Sequence, residues 1–201
     1  MWIIKIGGSW VKNPALPKLI NLLQKFIKQK LVIVPGGGVF ADAVRDVFKV
    51  TVMDEETAHL LAMRAMETFA YYLKSLESNL FLTNQIKNFH RKKINVWLPL
   101  KKISMEADFI KNWDSTSDSI STWLYNNTDA DGLIFIKSVS IEDKSLLELV
   151  DLQNRNILDA NLKKFISVKK NLKIIGPEII DLLENAQSWE KIISNLGVVK
   201  I

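Results

Sequence analysis

Short β-branched runs that alternate with longer stretches of helical period predict an α/β fold on a mostly parallel sheet. Two observations carry this. Apolar runs of strand length stand at Ile3–Ile6, Leu31–Val34, Leu80–Leu82, Val96–Leu98, Leu133–Ile136, Leu172–Ile175 and Val198–Lys200. Between most of them, apolar residues recur at three- and four-residue spacing, the period of one helix face. Strand and helix in alternation is the pattern of βα units, whose crossovers leave neighbouring strands parallel.

Each element follows from local chemistry. Leu16, Leu19, Ile20, Leu23, Phe26 and Ile27 form one apolar face behind Pro14 and Pro17, residues suited to a first helical turn. A second helix runs from Val39 towards Phe48 with Asp42, Arg45 and Asp46 on its polar side. Asp54 to Leu76 is the longest helix, with Asp54, Glu55 and Glu56 at its positive end and Met63, Met66 and Phe69 in the core. Lys101 to Thr116 is the least periodic stretch and reads as a loop over a site. Thr116, Ser117 and Asp118 then open a helix with Ile120, Trp123 and Leu124 on its apolar face, and Gly176-Pro177 opens another through Leu183. There is no internal repeat or linker, so residues 1–201 are expected to form one unit, its sheet crossing any boundary near Ser104–Thr116.

Composition narrows the function. With 201 residues and 48% hydrophobic content the chain can bury a core, and with no cysteine it has no disulfide, thiolate zinc site or cysteine nucleophile. A reducing cytoplasmic location is expected. MWIIKIGG turns to glycine too soon for a signal peptide, and no uncharged stretch reaches about 18 residues, so no membrane span is expected. The net charge of +5 comes nearly all from lysine, with arginine only at 45, 64, 91 and 155 and the densest basic run, HRKK, at His90. Solvated lysines on helix surfaces account for this better than a nucleic-acid patch, so no nucleic acid is expected.

The chemistry gathers at two strand ends, KIGGSWVKN at Lys5 and VPGGGVFADAVR at Val34. Neither G-x-x-x-x-G-K-[ST] nor a well-formed G-x-G-x-x-G is present, which leaves P-loop and Rossmann sites unsupported. Glycines after a strand let backbone N–H groups approach an anion, and the helix start behind them adds a positive dipole end. One such turn also occurs for packing alone; two, with Lys5 just before the first, suit a ligand carrying several phosphates. Lys12 is a second candidate cation, against a solvated loop lysine. Asp118 either favours a helix dipole behind an N-cap at Thr116 or Ser117, or tethers lysines or a Mg²⁺ ion. Arg45, a scarce arginine behind the second turn, suits an acceptor phosphate. His59 and His90 are the two histidines, and without a second histidine at helical spacing a zinc role for His59 is disfavoured.

Lys5-Ile6-Gly7-Gly8-Ser9, Pro35-Gly36-Gly37-Gly38 and Thr116-Ser117-Asp118, in that order, resemble the amino acid kinase superfamily. The helix DEETAHLLAMRAMETF and the phrase WDSTSDSIS look closest to its small archaeal and methylotroph branch, the kinases of methanofuran biosynthesis. The resemblance covers nearly the whole chain. It implies a three-layer α/β/α sandwich, an acceptor half at about 1–112 and a nucleotide half at about 113–201. It implies ATP and Mg²⁺ as cofactors, and transfer of a phosphoryl group to [5-(aminomethyl)furan-3-yl]methyl phosphate. In that frame Lys5 stabilises the transferring γ-phosphoryl group, with Gly7, Gly8 and Ser9 donating to its oxygens. Gly36, Gly37 and Gly38 bind the acceptor side, Asp118 organises the lysines, and Ser117 lies on the nucleotide side. His59 becomes an acceptor contact. Most members have an acidic-glycine turn after the strand equivalent to Leu133–Ile136, whereas this chain reads Lys137-Ser138-Val139-Ser140, which makes Lys137 a phosphate contact. Relatives commonly self-associate, so a homo-oligomer is expected. The rival readings are a uridylate or isopentenyl phosphate kinase, a non-catalytic nucleotide or anion sensor, and a basic nucleic-acid binder.

Overall fold

The computed structural model describes residues 1–141, 147–166 and 171–201. Its strands are β1 (Trp2–Ile6), β2 (Leu31–Pro35), β3 (Phe81–Thr83), β4 (Asn95–Trp97), β5 (Gly132–Ile136), β6 (Leu147–Glu148), β7 (Leu172–Ile175) and β8 (Gly197–Lys200). The helices are α1 (Leu16–Gln24), α2 (Gly38–Val50), α3 (Glu55–Leu76), α4 (Leu100–Ser104), α5 (Ser117–Asn126), α6 (Leu149–Asn154), α7 (Ile179–Asn185) and α8 (Trp189–Ser194). The strands form one sheet in the order β3-β4-β2-β1-β5-β7-β8-β6, parallel throughout except for the antiparallel β7–β8 pair. The sheet thus runs through both halves of the chain. No helix among the described residues is long and apolar enough to cross a membrane.

Strand β1 is central and buried along its length. Because successive side chains point to opposite faces, its residues sort into two cores. Trp2, Ile4 and Ile6 pack with Leu31, Ile33, Ile134 and Ile136 under α1, α7 and α8. Ile3 packs with Val32, Val34, Leu133 and Phe135 under α5 and α6. Helix α3 is long enough to serve both, sending Phe69, Ala70 and Leu73 to the first core and Met63 and Met66 to the second. The result is a sheet covered by helices on both faces, as the alternation predicts.

The predicted strands at Leu80 and Val96 lie one residue off, at Phe81–Thr83 and Asn95–Trp97. Strand β6, two residues long, carries no periodic signal and is not foreseen. The first helix starts at Leu16 with Pro17 in its first turn, while Pro14 lies before it. Part of the Lys101–Thr116 stretch is the short helix α4, and the loop proper begins after it. Asp54 caps α3 as its position implies, accepting from the Thr57 N–H at 2.8 Å.

Candidate active site

Lys5 lies in register with Val34 of β2 and Phe135 of β5 and on the same face as Ile3, a position the strand pattern would fill with an apolar residue. Its side chain is nonetheless 5% exposed, and a lysine is seldom buried so completely unless paired. The partner is Asp118 in the first turn of α5, whose Oδ1 is 2.8 Å from Lys5 Nζ. Lys137, the first residue beyond β5, closes the group: its Nζ donates to Asp118 Oδ2 at 2.7 Å and Oδ1 at 3.0 Å. One buried carboxylate therefore holds two ammonium groups together at the carboxyl ends of two adjacent parallel strands.

Electrostatics follow from that packing. Burial disfavours the charged form of Asp118, but Lys137 and Lys5 outweigh it and hold the carboxyl below its ordinary range. Burial acts on Lys137 in the opposite sense and is only partly offset by Asp118, while Lys5 adds repulsion, so its pKa falls to about 8. A fourth group stands close by. Asp159 accepts from the Thr116 N–H at 2.8 Å, the Thr116 hydroxyl at 2.6 Å and the Ser119 N–H at 2.9 Å, and burial, with the nearby Asp118 charge, raises its pKa. Of the two readings of this turn, a side-chain N-cap at Thr116 or Ser117 is not found: α5 is capped from outside by a residue forty positions away, while Asp118 tethers the lysines.

The two glycine turns interlock. A Cβ on Gly8 would lie 2.2 Å from the Gly38 nitrogen, and one on Gly36 would lie 2.4 Å from the Gly8 nitrogen. Gly38, at φ +55°, is also in a backbone region that side chains rarely adopt. The Gly7 N–H is committed to the Ile136 carbonyl at 2.9 Å and the Gly36 N–H to the Ile6 carbonyl at 2.8 Å. In this structure these two amides serve the sheet ladder. Gly8 and Ser9 open the 3-10 helix Gly8–Lys12, and Gly37 and Gly38 open α2, so their N–H groups have no acceptor within the helix.

These elements line one cavity of about 590 Å³, walled further by His59, Trp113, Asp114 and Arg155. Four cationic side chains, Lys5, Arg45, Lys137 and Arg155, with two glycine turns and three helix starts around one space, can accommodate a chain of phosphates, and comparison with known proteins decides the chemistry. No protein-family model matches the chain. The [5-(aminomethyl)furan-3-yl]methyl phosphate kinase of Methanocaldococcus jannaschii is 32% identical to it over 227 residues, covering 100% of both chains. The chain belongs to that kinase's family. It is a phosphotransferase, and membership of a kinase family implies ATP as the donor. The solved structure of uridylate kinase from Archaeoglobus fulgidus superimposes with a TM-score of 0.65 at 16% identity, over 92% of this chain and 95% of that one. Isopentenyl phosphate kinase does so with a TM-score of 0.62 at 10% identity, over 99% of each. These likenesses place the fold among the amino acid kinases.

In the kinase, the remaining residues singled out from sequence are Lys12, Arg45, His59 and Ser117. Lys12 is exposed at the end of its 3-10 helix, outside the residues that line the cavity. Arg45 does line it, with Nη1 2.8 Å from Asp42 and its guanidinium 4.7 Å from the Trp113 ring, which leaves further N–H donors for a ligand. His59 lines it too, but one ring nitrogen is spent: Nε2 lies 2.9 Å from the Ser115 carbonyl, which can only accept, so Nε2 carries the proton. Burial lowers the His59 pKa and keeps the ring neutral, and Nδ1 is buried without a partner among the described residues. Ser117 is buried on the cavity wall. Sequence reasoning misses Asp159, Trp113 and Arg155. Asp159 has no local signal because its partners are distant in the chain, whereas Trp113 stands directly before the Asp-Ser-Thr-Ser-Asp phrase.

Proposed function

We propose that this kinase transfers the γ-phosphoryl group of ATP to [5-(aminomethyl)furan-3-yl]methyl phosphate. The observation that carries this is identity of 32% across the full length of both chains with a kinase of that name, and the site chemistry agrees. A phosphate-monoester oxygen attacks the γ-phosphorus, a new P–O–P link forms, the bond to the β,γ-bridging oxygen breaks, and ADP leaves. The nucleophile is already an anion at neutral pH, so no general base is required and the work is neutralisation and alignment.

Lys5 lies where charge builds on the transferring group, aided by the Gly8 and Ser9 amides. Lys137 and Ser117 serve the nucleotide side. Gly37, Gly38 and Arg45 serve the acceptor phosphate, with His59 on the wall beside it. Asp118 holds both lysines at one point. Mg²⁺ would shield the charge of the ATP phosphates. No group of three or more potential acidic or histidine ligands stands among the described residues, and Asp118 and Asp159 are engaged by lysines and N–H or O–H donors. That donor set fits an ion held mainly on nucleotide oxygens and water. We propose in addition a cytoplasmic, homo-oligomeric enzyme, in keeping with the absence of cysteine and of any long apolar helix among the described residues.

ADP release from Mg·ATP tests the acceptor, with the furan phosphate, UMP, isopentenyl phosphate and no acceptor run in parallel. Turnover with the furan phosphate alone is expected. Faster turnover with UMP or isopentenyl phosphate, or silence with the furan phosphate, overturns the assignment.

A further inference from the structure

We infer that Asp159 is a positioning residue of the phosphoryl-transfer centre: its carboxylate clamps the first turn of α5 from outside the helix and fixes Asp118 between Lys5 and Lys137. This rests on phosphoryl transfer at that centre and not on the identity of the acceptor.

The geometry is specific. Asp118 reaches the lysines only if the first turn of α5 is held in rotation and depth, since one residue of slip turns a helix by about 100°. The helix does not hold itself, because the Thr116 side chain makes no cap bond to it. The Thr116 hydroxyl instead donates to Asp159 Oδ1, while Oδ2 accepts from the Thr116 and Ser119 N–H groups on either side of Asp118. Asp159 is itself anchored. Gln153 Nε2 donates to the Asp159 and Ala160 carbonyls at 2.7 and 2.8 Å. Next to them, the Asn161 N–H donates to the Asp114 carbonyl at 3.0 Å and Asn161 Nδ2 to Ser115 Oγ at 3.0 Å. The segment after α6 is thus laced to the segment that opens α5.

A serine or asparagine would suffice for a plain cap. A carboxylate placed here, with no ion-pair partner of its own among the described residues, adds a second negative charge beside Lys5, Lys137 and Asp118. Two ammonium and two carboxylate groups then balance before any substrate arrives. The same charge favours the protonated form of Lys137, alongside Asp118 and against Lys5.

The test separates position and charge from simple capping. In Asp159→Asn, kcat is expected to fall about tenfold to a hundredfold, the scale of a small misplacement of catalytic groups. The pKa of Lys137 should fall as well. It is read by ¹⁵N-lysine NMR, with the resonance assigned by its loss in Lys137→Arg. That reading needs no acceptor, so it stands even if the acceptor assignment fails. In Thr116→Val, which removes one tether and no charge, a drop of a few-fold in kcat with the Lys137 pKa unmoved is expected. An Asp159→Asn variant with wild-type kcat or an unshifted Lys137 overturns the inference. Should that variant not fold, wild-type kcat in Thr116→Val overturns it, and a reduced kcat with unchanged KM for ATP supports it.

Discussion

Lys5 breaks the rule of its own strand. Val34 and Phe135 flank it in register, and a cation there costs desolvation that its ion pair with Asp118 offsets. Natural sequences tolerate such conflicts where function requires them. Lys5→Ala and Asp118→Asn are each expected to lower kcat by about two orders of magnitude or more, with circular dichroism unchanged. Asp118→Ala should also cost about 3–5 kcal/mol of stability in denaturant titration, because it strips two buried ammonium groups of the carboxylate they both contact. Lys137 sets an alkaline limit: with a pKa near 8 in place of 10.5, it loses its charge as pH rises through that value, and kcat should decline there. The stability sign is opposite. The folded state binds fewer protons at Lys137 than the unfolded chain between about 8 and 10.5, so this group's contribution to stability improves with pH across that window. Asp118, held below its ordinary range, contributes stability that is lost only as pH falls through its lowered pKa. A melting temperature that holds steady while kcat falls above pH 8 would confirm that the limb reports charge and not unfolding.

At the level of elements, the strands were legible because β1, β2 and β5 are short, β-branched and buried, and the site was legible because glycines follow two of them. The capping of α5 was not, since Thr116 and Ser117 satisfy every local signal for an N-cap and tertiary contact with Asp159 overrides it. Nor could spacing show that Gly7 and Gly36 spend their amides on the ladder, because which strands become neighbours is a property of the sheet. Gly8→Ala drives a Cβ into the Gly38 backbone and should cost about 3 kcal/mol or more, seen as a lower denaturation midpoint, together with loss of activity. Arg45→Ala, at a partly exposed position on α2, should leave stability unchanged and raise KM for the acceptor about tenfold with little effect on KM for ATP.

Across the whole molecule, β1 is the switch point. The chain leaves it to build β2 on one side and returns to place β5 on the other, which opens a crevice at the carboxyl ends of these strands. The charge of +5 is spread over the surface, while the cations that matter are the two least visible ones, Lys5 and Lys137. Saturation with Mg·ATP at about a hundredfold over Kd should stabilise the fold by about 2.7 kcal/mol, a rise of several degrees in Tm by calorimetry. The contact between Gly8 and Gly36–Gly38 constrains the history of the enzyme as well as its chemistry. Neither turn can acquire a side chain unless the other retreats, so acceptance of a new substrate by descent has to be written elsewhere, in α2 and the segment around Trp113. The distance between the reacting groups is then an inheritance, and only their surroundings are free to diverge.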